Sequence, residues 1–129
     1  MSSDLRVLVV DDQPLNRRLL KDILEHLGCV VTTAQSGADA LSASRVGHFD
    51  LICLDRHMPG LSGDEVAAAL PSDQFVLAWS TDVANLPERF NGALSKPVSI
   101  AGAQKAIFSA KAWRAATASP VDTLIRAAA

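Results

Sequence analysis

Three carboxylates stand directly after two apolar runs of this chain. Asp11 and Asp12 follow the run at residues 5–10, and Asp55 follows the run at residues 51–54. Short apolar runs that end at a turn are typical of buried strands. Because the carboxyl ends of parallel strands form the edge of an open sheet where ligands bind, we expect the three acids to meet there.

Two further polar side chains end strand-like runs. Ser80 follows the run at residues 75–79, and Lys96 follows the short run at residues 93–95. Carboxylates about 4 Å apart repel by on the order of 4 kcal/mol per pair at an effective dielectric near 20, so the acids must take up protons or hold a cation. Oxygen ligands favour Mg²⁺. A hydroxyl and an ammonium opposite the metal suit a phosphoryl group, with Asp55 as its acceptor.

The elements that position these side chains alternate along the chain. Strand patterns lie near residues 5–10, 29–34, 51–54, 75–79 and 93–95. Helical patterns begin at Pro14, at Ser36-Gly37, at a capping box from Ser62 to Glu65 and near Ser99. This alternation predicts an α/β fold, a parallel sheet with right-handed crossovers.

Helical spacing also predicts which faces of the first and last helices are buried. In the first helix the apolar residues are Leu15, Leu19, Leu20, Ile23, Leu24 and Leu27. In the last helix they are Ile100, Ala103, Ile107 and Ala110.

Composition narrows the function classes. The chain has 129 residues, enough for one domain with a real core. Its 14 acids and 12 bases give a net charge of −2, which argues against broad binding to nucleic acid or anionic membranes. Cys29 and Cys53 lie in apolar runs and are interpreted as reduced core residues. No leader or membrane-spanning run is visible in the sequence, so we expect no membrane insertion and a cytoplasmic location.

The strand-end motifs resemble the receiver domains of bacterial two-component response regulators and hybrid histidine kinases. The motifs are Val-Val-Asp-Asp at 9–12, Leu-Asp-Arg-His-Met-Pro-Gly at 54–60, Leu-Ala-Trp-Ser at 77–80 and Ser-Lys-Pro at 95–97. The resemblance implies a flavodoxin-like, doubly wound, five-stranded parallel sheet of order 2-1-3-4-5. We expect residues 1–118 to form this domain and residues 119–129 to form a tail in which a short helix can begin.

The resemblance also implies a role for each acid. Asp55 would accept a phosphoryl group from a histidine kinase or a histidine phosphotransfer protein. Asp12 would bind Mg²⁺ directly and Asp11 through a water molecule. The backbone carbonyl of His57 would be a further metal ligand.

On the phosphoryl side, the resemblance implies that Ser80 and Lys96 each hold one phosphoryl oxygen, and that the Lys96-Pro97 bond is cis. His57 and Asp82 flank the path that hydrolytic water takes in the family. Our hypothesis is that they interact across the site and tune the lifetime of the acyl phosphate. Two solvated loop side chains are the alternative.

The first helix is where family members dock a helix that carries the phosphohistidine. Asn16 and Leu20 are therefore candidate contacts with that partner.

The sequence departs from the family in one region. Family members carry an aromatic residue three positions before the lysine, where this chain has Ala93, and the chain has no tyrosine. Phe90 is a candidate substitute. The segment between Ser80 and Lys96 is several residues shorter than usual, and Pro87 would break a helix there. We therefore expect the fourth of the family's five helices to be shortened or missing.

The sequence suggests three candidate functions. The first is a signalling receiver that catalyses its own phosphorylation and hydrolysis, switches protein–protein interactions and is not an enzyme with a separate substrate. The second is a pseudo-receiver, an interaction module without phosphorylation switching. The third, a haloacid-dehalogenase-type phosphatase, requires a second aspartate two positions after the nucleophile, where this chain has His57, and is rejected.

Overall fold

The computed structural model describes residues 5–118 as a five-stranded parallel sheet flanked by helices. The strands are β1 (Arg6–Val10), β2 (Val30–Ala34), β3 (Leu51–Leu54), β4 (Val76–Ser80) and β5 (Gly92–Ser95). The helices are α1 (Pro14–His26), α2 (Gly37–Val46), α3 (Gly63–Ala69) and α4 (Ile100–Thr117). The predicted tail at residues 119–129 lies outside the described residues.

The sheet order is β2-β1-β3-β4-β5, so the predicted order 2-1-3-4-5 is confirmed. The central strands β1, β3 and β4 are almost wholly buried, as expected for a parallel sheet with helices on both faces. Val10 of β1 pairs with Leu54 of β3. Because the two strands stay in step to their last residues, the acids that follow them emerge side by side.

Each face of the sheet has its own apolar cluster. On one face, side chains of β1, β3 and β4 pack against α1 and α4, with Leu20, Leu24 and Ala103 fully buried. On the other face, α2 and α3 contribute Ala40 and Val66. The capping box predicted at the start of α3 is present, because the side chains of Ser62 and Glu65 each accept a hydrogen bond from the other's backbone N–H.

Three residues predicted on buried helical faces are exposed instead. Leu15 and Leu19 of α1 are 80% and 45% exposed, and Ile100 of α4 is 56% exposed. A helix that lies on a sheet buries one stripe, and residues at the edges of an apolar arc stay in solvent. In α1 the fully buried residues are Leu20 and Leu24.

The connection between β4 and β5 contains no helix, as the sequence predicted. Residues 81–91 form only turns and bends. The guanidinium of Arg89 donates hydrogen bonds to the carbonyls of Pro71 (2.6 Å) and Gln74 (2.9 Å), which fixes the segment to the loop before β4. Phe90 is buried in the cluster that contains Ala78, and Ala78 pairs with Ala93. The side chain of Phe90 thus fills the core on the face of the sheet where Ala78 and Ala93 lie.

Cys29 and Cys53 are both buried and form no disulfide bond, as predicted. Burial raises the pKa of the Cys53 thiol to about 12, so it stays protonated and unreactive. Among residues 5–118, no helix has the length and apolar character needed to cross a membrane.

Candidate functional site

The structure brings the three strand-end acids together. Asp11, Asp12 and Asp55 each offer a carboxylate oxygen, and these oxygens lie within 4.8 Å of one another. Asp11 is completely buried and Asp55 is 5% exposed. The pairing of β1 with β3 causes this convergence, since Asp11 and Asp55 directly follow the last residues of their strands and Asp12 comes next after Asp11.

Backbone groups fix the orientation of two of these acids. Oδ1 of Asp11 accepts a hydrogen bond from the backbone N–H of Gln13 (2.8 Å). Oδ1 of Asp55 accepts one from the backbone N–H of His57 (3.2 Å). The guanidinium of Arg17 donates to the backbone carbonyl of Asp11 (2.7 Å), which attaches the first turns of α1 to the site. The carboxylates therefore sit on a rigid edge.

Lys96 reaches the same edge from β5. The Lys96-Pro97 bond is cis, as predicted. Nζ of Lys96 lies 2.7 Å from Oδ2 of Asp11 and 3.5 Å from Oδ1 of Asp55, and the lysine side chain is only 14% exposed. The ammonium thus offsets part of the negative charge of two acids.

The surroundings of Asp55 disfavour its charged form. Its pKa is raised from 3.8 to about 6, chiefly because burial removes the carboxylate from water. The N–H of His57 and the ammonium of Lys96 act in the opposite direction, whereas Asp11 adds to the rise.

A divalent cation would relieve this crowding. Three carboxylates within reach of one ion form an oxygen-only ligand set, which fits Mg²⁺. The backbone carbonyl of His57, the fourth predicted ligand, belongs to the residue whose N–H already binds Asp55.

Ser80 is the last residue of β4 and is 2% exposed. Its Oγ accepts a hydrogen bond from the backbone N–H of Asp82 (3.1 Å), and a hydroxyl that accepts can still donate its own proton. The backbone N–H of Lys96 donates to the carbonyl of Ser80 (3.1 Å). Pairing of β4 with β5 therefore places the two residues that carry the predicted hydroxyl and the predicted ammonium at the same edge of the sheet.

The side chains of His57 and Asp82 meet at the rim of the site. Nε2 of His57 lies 3.8 Å from Oδ2 of Asp82, and both side chains are more than half exposed. The proximity that the sequence hypothesis requires is present. The effect on acyl-phosphate lifetime stays a prediction.

Arg56 is a structural residue of the site that the sequence analysis missed. Its side chain is 9% exposed and donates to both carboxylate oxygens of Asp64, at 3.0 and 3.1 Å. It also donates to the backbone carbonyls of Asp82 (3.0 Å) and Ala84 (3.4 Å). Arg56 therefore connects the start of α3 with the segment that follows Ser80. The one sequence signal was the position of Arg56 directly after Asp55, at the end of a buried strand.

The structure corrects one of the two predicted partner contacts. Leu20 is fully buried against the sheet, so it is not available to a docking partner. Asn16, in the first turn of α1, is half-buried. The exposed apolar residues on this helix are Leu15 and Leu19.

The fold and the site define a class of protein: a flavodoxin-like α/β domain with an acidic cluster and a lysine at the carboxyl edge of its sheet. A family model described as the response regulator receiver domain matches residues 7–108. The chain belongs to the response regulator receiver domain family.

Known relatives agree with this assignment. The chain is 34% identical over 108 residues to the sensor histidine kinase RcsC of Escherichia coli, a match that covers 77% of this chain and 11% of RcsC. The structure of the response regulator TrrA from Thermotoga maritima, in complex with Mg²⁺-BeF, aligns with a TM-score of 0.76 at 29% identity, over 85% of this chain and 99% of that chain. The chemotaxis response regulator CheY4 of Vibrio cholerae aligns with a TM-score of 0.74 at 26% identity, over 84% and 99% of the two chains.

Proposed function

We propose that this receiver accepts a phosphoryl group on Asp55 in a Mg²⁺-dependent reaction and thereby switches protein–protein interactions. The observation that carries the proposal is the meeting of three carboxylates, Lys96 and Ser80 at one edge of the sheet. The donor would be the phosphohistidine of a histidine kinase or of a histidine phosphotransfer protein. The cytoplasmic location expected from the sequence stays a prediction.

In the proposed transfer, a carboxylate oxygen of Asp55 attacks the phosphorus of the phosphohistidine. A P–O bond forms and the P–N bond breaks, and its electron pair stays on the imidazole nitrogen of the donor. The ammonium of Lys96, 3.5 Å from the acceptor carboxylate, would pair with one phosphoryl oxygen. The hydroxyl of Ser80, whose Oγ accepts from the backbone N–H of Asp82, would donate its own proton in a hydrogen bond to another.

Mg²⁺ would be held by Asp11, Asp12 and Asp55, with the carbonyl of His57 as a further ligand, and would supply charge neutralisation at the phosphoryl oxygens. The relative TrrA has been solved with Mg²⁺-BeF, which supports the same ligand chemistry here. The domain would act on itself and would not turn over a separate substrate.

Incubation with acetyl phosphate or phosphoramidate tests the proposal, with and without Mg²⁺. Intact mass and Phos-tag gels should detect an adduct that requires Mg²⁺ and disappears in Asp55→Asn. The matched control is Asp22→Asn, which removes an exposed carboxylate of α1 and should leave the adduct intact.

Lack of an adduct on folded protein, repeated with a phosphorylated histidine protein as donor, would contradict phosphorylation. Such a result would favour the pseudo-receiver. The observations in favour of that alternative are Ala93 in place of the family's aromatic residue and the absence of a helix between β4 and β5. The phosphodonor experiment therefore separates a phosphorylated receiver from a pseudo-receiver.

A further inference from the structure

The ammonium of Lys96 has a third neighbour besides Asp11 and Asp55. It lies 4.5 Å from the ring centroid of Trp79, which places a cation over an aromatic face. Trp79 is 1% exposed and immediately precedes Ser80 in β4. One strand therefore carries both the ring beneath the lysine and the hydroxyl proposed to hold the phosphoryl group.

Asp11 has two incompatible tasks in the proposed function. Its Oδ2 holds the ammonium of Lys96 at 2.7 Å, yet the same carboxylate belongs to the cluster that fits a divalent cation. Two cations close to one carboxylate repel, so the ammonium must withdraw from Asp11 when metal binds. The ammonium would then keep only Asp55, 3.5 Å away, whose carboxylate also belongs to the metal cluster, and a largely buried ammonium with weakened pairing is costly unless another group replaces the lost partner.

The indole of Trp79 is the group in position to replace it. The ring carries no ionisable group and does not bind a hard cation, so its face remains available to Lys96 whether or not metal is present. Trp is also the strongest cation–π partner among the aromatic side chains.

A second observation indicates that this ring does more than fill space. The indole Nε1 of Trp79 is buried and has no hydrogen-bond partner within residues 5–118. A buried Trp N–H usually finds an acceptor, and leaving it unpaired costs stability. An aliphatic residue or Phe would fill the core without that cost but would offer no ring face or a weaker one.

We propose that Trp79 is a positioning residue for Lys96. Its indole face holds the ammonium at the rim when Asp11 turns to the metal, and it keeps Lys96 within reach of the phosphoryl group on Asp55. The inference rests on the proposed function, since it assigns Trp79 a role in the same Mg²⁺ and phosphoryl site.

Fluorescence tests the proposal without altering Trp79. The chain has two tryptophans, so Trp113→Phe leaves Trp79 as the only emitter. We expect its emission to change on saturation with Mg²⁺ and again on addition of beryllofluoride, because the ammonium above the ring moves. In Trp113→Phe/Lys96→Met, which keeps the side-chain length without the charge, the change should fall at least fourfold. An equal change in both proteins would overturn the proposal.

A double-mutant cycle on Mg²⁺ affinity separates positioning from packing. Calorimetric titration should show a Kd at least fivefold weaker in Trp79→Leu, because the ammonium stays on Asp11, and within twofold of the parent in Trp79→Phe. In the Lys96→Met background, Trp79→Leu should change the Kd by less than twofold. If Trp79→Leu weakens Mg²⁺ binding fivefold both with Lys96 and with Lys96→Met, Trp79 acts only through packing.

Far-UV circular dichroism first establishes that each variant is folded. If Trp79→Leu does not fold, the fluorescence comparison decides, since both of its proteins retain Trp79. The parent protein can bind Mg²⁺ and form the Asp55 adduct while the double-mutant cycle shows no coupling between Trp79 and Lys96. That result overturns this inference alone. A parent that binds no Mg²⁺ overturns the proposed function with it.

Discussion

The guanidinium of Arg56 donates two hydrogen bonds to the carboxylate of Asp64, at 3.0 and 3.1 Å. The same guanidinium donates to the carbonyls of Asp82 and Ala84. One buried cation thus ties the residue after Asp55 to the first turn of α3 and to the connection between β4 and β5.

Replacing Arg56 should therefore destabilise the domain. We expect Arg56→Gln to lower the free energy of unfolding by about 3 kcal/mol, because it leaves a carboxylate and two carbonyls without their cation. Urea denaturation measures the loss. The matched control is Arg18→Gln, which breaks an exposed ion pair with Asp22 and should cost less than about 0.5 kcal/mol. Equal stability of the two variants would refute the role of Arg56.

The rim pair of His57 and Asp82 should control acyl-phosphate lifetime. We expect His57→Ala to speed autodephosphorylation more than twofold, because the imidazole lies 3.8 Å from Asp82 at the rim and would limit the approach of water to Asp55. The decay of radiolabelled phosphoprotein measures the rate. His26→Ala, an exposed residue at the far end of α1, should leave it unchanged. A rate within twofold of wild type in His57→Ala would reject the hypothesis.

The raised pKa of Asp55 makes stability depend on pH in the absence of metal. Its pKa of about 6 exceeds the ordinary 3.8, so its contribution is fully favourable below about pH 4 and is lost as pH rises through 6. Asp55→Asn should match wild type near pH 4 and exceed it by about 2 kcal/mol near pH 7. Urea denaturation at both pH values, with a metal chelator present, measures the difference in stability between the two proteins. A gap that does not change with pH would contradict the assignment, and Asp22→Asn serves as control.

Gly63 should tolerate no side chain. A Cβ at this position would overlap the carbonyl oxygen of Asp55 and the Cα of Arg56, both backbone atoms that cannot yield without moving Asp55. We expect Gly63→Ala to cost at least about 2 kcal/mol in thermal or urea denaturation. At Gly92 the nearest atom to an added Cβ is a flexible Leu77 methyl at 3.1 Å, so Gly92→Ala should cost less than about 1 kcal/mol. A smaller loss at Gly63 than at Gly92 would contradict this account.

The sequence was most informative where a residue type and a strand end coincide. Asp11, Asp55 and Lys96 were predictable because buried parallel strands are unbroken apolar runs, and the first polar residue after each run must lie at the sheet edge. The missing helix was predictable because Pro87 lies within an already short connection.

Other features depended on distances that no local pattern encodes. Arg56 would ordinarily be read as a solvated charge, and its burial follows from carbonyls that lie 26 and 28 residues away. In α1 the apolar arc is wider than the stripe that the sheet covers, so spacing alone did not distinguish buried Leu20 from exposed Leu19. The contact between Trp79 and Lys96 likewise required the pairing of β4 with β5.

The helix-free connection between β4 and β5 also affects the order in which the fold assembles. The backbone N–H of Val76 bonds the side chain of Asn91 only 15 residues away, so this edge of the sheet closes a short loop. The contact between Lys96 and Asp11 spans 85 residues. Because loop closure becomes slower and more costly with separation, the β4–β5 edge can form early, whereas the charged cluster is completed late. The charged cluster is therefore complete only when the first and the last strand of the chain are both in the sheet.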